Sequence, residues 1–298
     1  MRFQNTIKQE ICVNGTGLHT GRVIHMRLKP APRDTGIVFI RSDRNNLQIK
    51  AGIEYVADTT FATNLRSNGS RIGTVEHLLA ALAGLKVDNL YVELDGPEVP
   101  VMDGSSYYFT QKILRESGVA RQAKRISCVR ILKPIVVTEG VRQIGVFPYE
   151  GMRITCRVNY NHPSFKEQKL SIDVTETNFI KEIAPARTFG FLKDVRMLRA
   201  NGLAKGGSLD NAIVVGDNGV LNKGELRFEN EFVRHKILDI MGDFSLLRKS
   251  IYGHIVANKP GHTLNIKLLK KILSFQDAWE IMSVPVTTEP HRELTLQI

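Results

Sequence analysis

Two stretches of this chain pass through the same succession of elements: strand-like segments, a helix, a strand, a turn and a second helix. Residues 3–60 alternate apolar and polar positions between turn signals, as in IKQEICV, RVIHMRLK, GIVFIRS and LQIKAGIEYV, the period of a strand with one buried face. TVEHLLAALAGL (74–85) then reads as an amphipathic helix, VDNLYVEL as a strand, DGPEVPVMDGSS as a turn, and 105–117 as a second helix. The order recurs with the strands CVRILKPIVV, RQIGVFP and MRITCRVN, a helix over 229–248, the strand IYGHIVAN, the turn KPGH and a long helix to about residue 282. The repeat is one of elements and not of letters. The charged stretch 118–127 reads as a linker, which divides the chain into domains at 1–124 and 125–298. Residues 187–215 interrupt the second unit as an insertion, a place where scaffolds often carry specificity.

The helix EFVRHKILDIMGDFSLL (231–247) carries the strongest chemical signal. His235, Asp239 and Asp243 are spaced by four, which stacks them on one face. Val233, Ile237, Ile240, Met241 and Phe244 form the apolar stripe, and Lys236 falls with the polar group. A solvated face explains such a pattern, but a His and an Asp one turn apart can also close on a divalent metal. Glu76 and His77 are the only ionisable side chains of 74–85. If the two halves share a fold, the first helix of each is metal-competent, and the natural place for a site is between them.

Lys and Arg number 41 against 30 Asp and Glu, a formal charge of +11, with a pI of about 9.6. That balance favours an anionic partner: nucleic acid, an acidic surface or a phosphorylated small molecule. The basic residues are scattered, which argues against a nucleic-acid stripe. Three cysteines without CxxC spacing supply neither a disulfide framework nor a zinc knuckle, and a reducing compartment is the simplest inference. With no apolar leader and no run of 18 apolar residues, the chain reads as soluble and cytoplasmic.

Other motifs have plain structural readings. GTGLHTG (15–21) precedes a strand and has the wrong glycine spacing for a dinucleotide loop, so it reads as a tight hairpin, with His19 exposed in the turn as the plainer reading and reaching a ligand as the alternative. MDGSS (102–106) reads as a helix N-cap, with Asp103 or a following Ser capping. His77 fits either a buried histidine on a backbone carbonyl or, beside Glu76, a metal site with an activated water; HExxH is absent. His262 reads as a capping or surface residue, Thr188 as a loop hydroxyl, and Phe189 and Phe191 as core.

Taken together and in order, TVEHLLAALAGL, MDGSS, ARTFGF, GGS (206–208), ENEFVRHKILDIMGD and GH (261–262), with GTGLHTG at the start, resemble the zinc-dependent UDP-3-O-acyl-N-acetylglucosamine deacetylases, the LpxC family of lipid A (lipopolysaccharide) biosynthesis. The resemblance implies an α+β fold of two similar domains, strands layered with two helices each, the helices face to face around the metal. It implies Zn²⁺ held by His77, His235 and Asp239, with Glu76 as general base. It further implies His262, held by Asp243, as the cationic partner and Thr188 at the oxyanion. Lys236 and Phe189 would line the sugar and nucleotide end, and Phe191, Val195, Gly207, Ala212 and Val214 the passage for an acyl chain.

The implied partner is a small UDP-sugar bearing an acyl chain, met by a monomer without nucleic acid or stable membrane insertion. A polyanionic UDP moiety accounts for the positive charge. The alternatives are another zinc amidohydrolase, against which the apolar insertion speaks, and a basic nucleic-acid-binding module. The module would interleave aromatics with basic strands, and aromatics are only 7% of this chain. The tail SVPVTTEPHRELTLQI matches no family feature and is assigned no role.

Overall fold

The computed structural model describes residues 2–160, 162 and 167–283; the tail segment 284–298 lies outside them. The fold is α+β, and the repeat is topological. In the first half the hairpin Ile11–Thr16/Val23–Pro30 and the hairpin Ile37–Arg41/Leu47–Lys50 flank a central strand, Leu90–Leu94. That strand is antiparallel to Val23–Pro30 and parallel to Ile37–Arg41. In the second half the hairpins Ile135–Glu139/Arg142–Phe147 and Met152–Val158/Gln168–Asp173 flank Ser250–Asn258, again antiparallel to one neighbour and parallel to the other. In each half a helix lies between the second hairpin and the central strand, because a parallel pair needs a crossover long enough to return over the sheet.

The crossover helices are α1 (Glu76–Gly84) and α5 (Glu231–Ser245). The following helices are α2 (Tyr107–Glu116) and α6 (His262–Ser274). Between them lie the short α3 (Glu176–Asn178), running on into a π-type turn at Phe179–Ile183, and α4 (Leu192–Ala200) inside the insertion. α1 and α5 pack directly on each other. Their approach is as close as backbones allow: a Cβ on Gly242 would come within 2.1 Å of the Glu76 carbonyl oxygen. Only glycine fits there. One apolar core runs through both halves, from Ile7 and Met26 to Leu268 and Ile272.

Several sequence expectations change. The stretch 118–127 is not a linker: Val119–Arg125 is a strand antiparallel to Phe3–Ile7, partly covered at its start and exposed at its basic end. α1 is not amphipathic, since eight of its nine residues are buried; a helix packed on a sheet, a second helix and flanking loops has no wet face. The last helix ends at Ser274, where Phe275 leaves helical geometry (φ −103°, ψ 67°), and Trp279–Ser283 is an edge strand against Ser127–Ile131.

The insertion is a small strand–helix–strand unit. Phe189–Phe191 runs parallel to Ile213–Gly216, which pairs antiparallel with Gly219–Val220. Strand parity divides it. Ile213, Val215 and Phe232 form a minor core with Phe189, Phe191 and Tyr160, and the intervening Gly190 and Val214 line a cavity on the opposite side.

Candidate metal centre and active site

The polar face of α5 is buried. His235 and Asp239 are each 2% exposed and Asp243 is fully enclosed, so a solvated face does not account for them. Burial of this kind is tolerated only where the groups are paired or hold a cation. α1 supplies His77 and α5 supplies His235 and Asp239, and one ligand atom from each lies within 4.8 Å of the others. Asp239 Oδ1 is 3.3 Å from His235 Nε2 and 3.9 Å from His77 Nε2. A tetrahedral ion with bonds of ~2.0–2.1 Å separates its ligands by about 3.4 Å, so the triple is at or just beyond the spacing of a closed site.

Two further details fit a cation. Asp239 Oδ1, the oxygen nearest both histidines, is buried with no hydrogen-bond partner among the described residues. His235 Nδ1 lies 3.1 Å from the Ala186 carbonyl oxygen, which selects the tautomer with Nε2 bare. Ser106 Oγ donates to the His77 carbonyl at 2.7 Å, tying α1 to the start of α2.

Beside the triple sit a carboxyl and an imidazole, both raised from their ordinary values. Burial raises the Glu76 carboxyl to about 7; the His262 charge pulls it back, and Asp243 and Asp239 add to the rise. Burial alone would lower the His262 imidazole, but Asp243 and Glu76 outweigh it and raise the ring to about 10. His262 Nδ1 is 2.9 Å from Asp243 Oδ2, and its Nε2 is 3.7 Å from Glu76 Oε1. His77 is lowered to about 3 by burial, with the neighbouring His235 adding to the effect, so its ring is neutral and free to ligate. Asp239, despite burial, is held well below the carboxylate range by His235 and Lys236. A base and an acid pushed apart within one pocket is the pattern of acid–base chemistry.

A cavity of about 290 Å³ opens over these groups, bordered also by Thr188, Phe189, Lys236 and Arg142. Lys236 Nζ donates to Asp239 Oδ2 at 2.7 Å and lies 5.3 Å from the Phe189 ring centroid. Leu18, Thr188 and Phe189 border this chamber and also a second, apolar cavity of about 240 Å³ walled by the insertion. Val195, Gly207, Ala212 and Val214 line that cavity. Phe191 does not: its ring packs against Tyr160 and His162 instead.

Thr188 is held by its backbone. Its N–H donates to the Gly104 carbonyl at 2.7 Å, and its carbonyl accepts from Ile213 N–H at 2.8 Å. The preceding Arg187 pairs with the fully buried Glu231, the first residue of α5.

The structure also revises smaller readings. His262 is not a surface residue, being bonded to Asp243 below the chamber floor. His19 is not an exposed turn histidine: both ring nitrogens are shielded without a partner among the described residues, and the ring borders the apolar cavity. Asp103 does not cap α2. The Ser105 hydroxyl accepts from Tyr107 N–H at 3.1 Å, while Asp103 pairs with Arg227.

Sequence reasoning also missed Leu18, Arg142, Gly190, Leu198 and Leu221 on the cavity walls. Strand parity could have found Gly190, since Phe189 and Phe191 flank it. Nothing local marks the others.

The whole pattern has relatives. Residues 4–274 match the family model described as LpxC, UDP-3-O-acyl N-acetylglycosamine deacetylase. A UDP-3-O-acyl-N-acetylglucosamine deacetylase of Thermodesulfovibrio yellowstonii is 52% identical over 273 residues, covering 92% of each chain. Those of Syntrophotalea carbinolica and Chromohalobacter salexigens are 47% and 45% identical, covering 95% and 96% of this chain and 91% and 95% of their own. The chain belongs to the LpxC family of UDP-3-O-acyl-N-acetylglucosamine deacetylases.

Proposed function

We propose that this chain hydrolyses the acetamide of UDP-3-O-acyl-N-acetylglucosamine, releasing acetate and the free amine, as a zinc-dependent step of lipid A biosynthesis. The single observation that carries the reading is a buried His77/His235/Asp239 triple, with Glu76 and the Asp243–His262 pair beside it, where a polar chamber meets an apolar cavity. His77, His235 and Asp239 hold the metal. Bound there, zinc supplies Lewis acidity, which makes water more acidic and polarises a carbonyl.

The remaining work falls to the side chains. Glu76, as carboxylate, takes a proton from the attacking water as the oxygen–carbon bond forms. His262, as imidazolium, stands by the developing oxyanion together with Thr188, and gives its Nε2 proton to the departing nitrogen as the carbon–nitrogen bond breaks. Asp243 keeps that ring cationic. Lys236 and Phe189 line the sugar and nucleotide end, where Arg142 adds a second positive charge facing a diphosphate. Val195, Gly207, Ala212 and Val214 hold the acyl chain, with Gly190, Leu198 and Leu221 completing the wall.

In this reading the protein works in the cytoplasm as a monomer on a small molecule, without nucleic acid or stable membrane insertion. No helix among the described residues is long and apolar enough to cross a membrane. The test is acetate release from UDP-3-O-acyl-N-acetylglucosamine before and after chelation, with metal analysis of the purified protein. Full activity in metal-free protein, or none in metal-replete protein, would overturn the reading.

A further inference from the structure

Thr63 is fully buried, lies outside the residues that border the chamber, and is bonded to both halves of the acid–base pair. Its N–H donates to Glu76 Oε2 at 3.0 Å. Its hydroxyl donates to Asp243 Oδ1 at 2.5 Å, and the same oxygen is 3.2 Å from His262 Nδ1. Its carbonyl accepts from Val75 N–H at 3.3 Å, which joins it to the start of α1.

The proton count decides what the hydroxyl does. A threonine has one O–H, and the shorter contact places that proton on Asp243 Oδ1. Asp243 Oδ2 is left for His262 Nδ1 at 2.9 Å and for Asn265 Nδ2 at 2.8 Å. The carboxylate therefore has a donor on each oxygen and cannot rotate without losing one. With Nδ1 committed to Asp243, the remaining nitrogen, Nε2, is the one directed at Glu76. On the other side, the Thr63 N–H occupies Glu76 Oε2 and leaves Oε1 toward His262.

We propose that Thr63 is a positioning residue for the deacetylation, its hydroxyl fixing the plane of Asp243 and thereby the aim of His262 Nε2, while its backbone N–H fixes the Glu76 carboxylate. The proposal rests on the roles of Glu76 and His262 given above. It separates the two functions of one residue, because substitution removes the hydroxyl but leaves the N–H in place.

The test is the isosteric pair Thr63→Val and Thr63→Ser in the metal-replete full chain. Partners of this kind, one bond removed from the reacting groups, are worth ~10–100-fold in activity. Thr63→Val is expected to lower kcat by on the order of 10-fold or more. KM should stay within about twofold and metal content unchanged, since the hydroxyl touches neither chamber nor ligands; Thr63→Ser should recover most of the loss. Combining Thr63→Val with Asp243→Asn should cost little beyond Asp243→Asn alone, because the two act through one bond.

An activity-independent readout is the His262 Nδ1–H proton resonance, which should move in Thr63→Val and return in Thr63→Ser. Wild-type kcat in Thr63→Val, equal losses in Val and Ser variants, full additivity with Asp243→Asn, or an unmoved ring proton would each overturn the proposal. A wild-type protein that releases no acetate while the ring proton responds as expected would instead remove the catalytic reading and leave the hydrogen-bond assignment standing.

Discussion

Gly190 is the position from which the apolar cavity can be filled by a single substitution. It sits mid-strand in Phe189–Phe191, with no left-handed backbone to strain, and a Cβ there would meet only Val195 Cγ2 at 3.5 Å, an ordinary contact. Gly190→Leu therefore projects four carbons from the strand toward α4, into a cavity of about 240 Å³. If that space holds the substrate acyl chain, the leucine displaces about as many methylenes as it adds. Each methylene transferred from water contributes ~0.8 kcal/mol, so losing four costs ~3 kcal/mol. At 1.36 kcal/mol per tenfold, kcat/KM on a long-chain substrate should fall on the order of 100-fold. A substrate too short to reach that wall should be turned over as before.

The assay is kcat/KM across a series of 3-O-acyl chain lengths, with UDP-N-acetylglucosamine as the unacylated end. In the parent protein the value should climb about fourfold per methylene, the equivalent of ~0.8 kcal/mol each. In Gly190→Leu the climb should stop about four carbons sooner, and Gly190→Ala should fall between. An equal loss at every length would refute the reasoning, since it would mean damage to the chemistry and not to the passage. An unchanged profile would place the acyl chain elsewhere.

His235→Ala should lose most of the bound metal, measured by elemental analysis of the purified protein; full occupancy would remove His235 from the ligand set. Glu76→Gln should keep its metal and lose ~10²–10⁴-fold in kcat, the scale of a general base, whereas joint loss of metal and activity would make Glu76 a ligand. kcat/KM should be bell-shaped in pH, because Glu76 must be ionised, with its carboxyl raised to about 7, and His262 protonated, with its ring raised to about 10. The fitted limbs belong to the pair and not to either residue alone. Asp243→Asn removes a negative charge that raises both groups, so both limbs should move to lower pH. The basic limb should move further, since Asp243 is hydrogen-bonded to His262 and not to Glu76. A basic limb that stays in place would show that His262 is not the acid or that Asp243 does not hold it.

The sequence made legible what has a short period. Alternation marked most of the strands, and four-residue spacing put His235, Asp239 and Asp243 on one face of α5 before any partner was visible. The repeated order of elements pointed to two halves of similar fold, although no letters repeat; the matching strand order of their sheets came only with the pairing. Long-range consequences were not legible. Thr63 is 180 residues from Asp243 and 199 from His262, and nothing around ATN announces a hydroxyl needed so far along the chain. Arg142 reaches the chamber only because its hairpin folds over the start of α6. The 118–127 stretch looked like a linker because a short edge strand rich in Arg, Lys and Gln has a linker's composition, and only its pairing with Phe3–Ile7 makes it a strand.

The duplicated topology also explains why the ligands come from two helices and not one. Each crossover helix can bury one polar cluster at its contact with the other half, and neither alone completes a three-ligand site. α1 has one histidine and α5 a His–Asp pair, so an ion held by all three would also join the halves. Such a site needs the two helices in close contact at this level, and small side chains at the crossing allow it. Gly242, placed between Asp239 and Asp243, permits it, because its missing side chain leaves room for the Glu76 backbone. The letter G in HKILDIMGD therefore bears on the proposed metal centre through the packing of the two helices that would carry it.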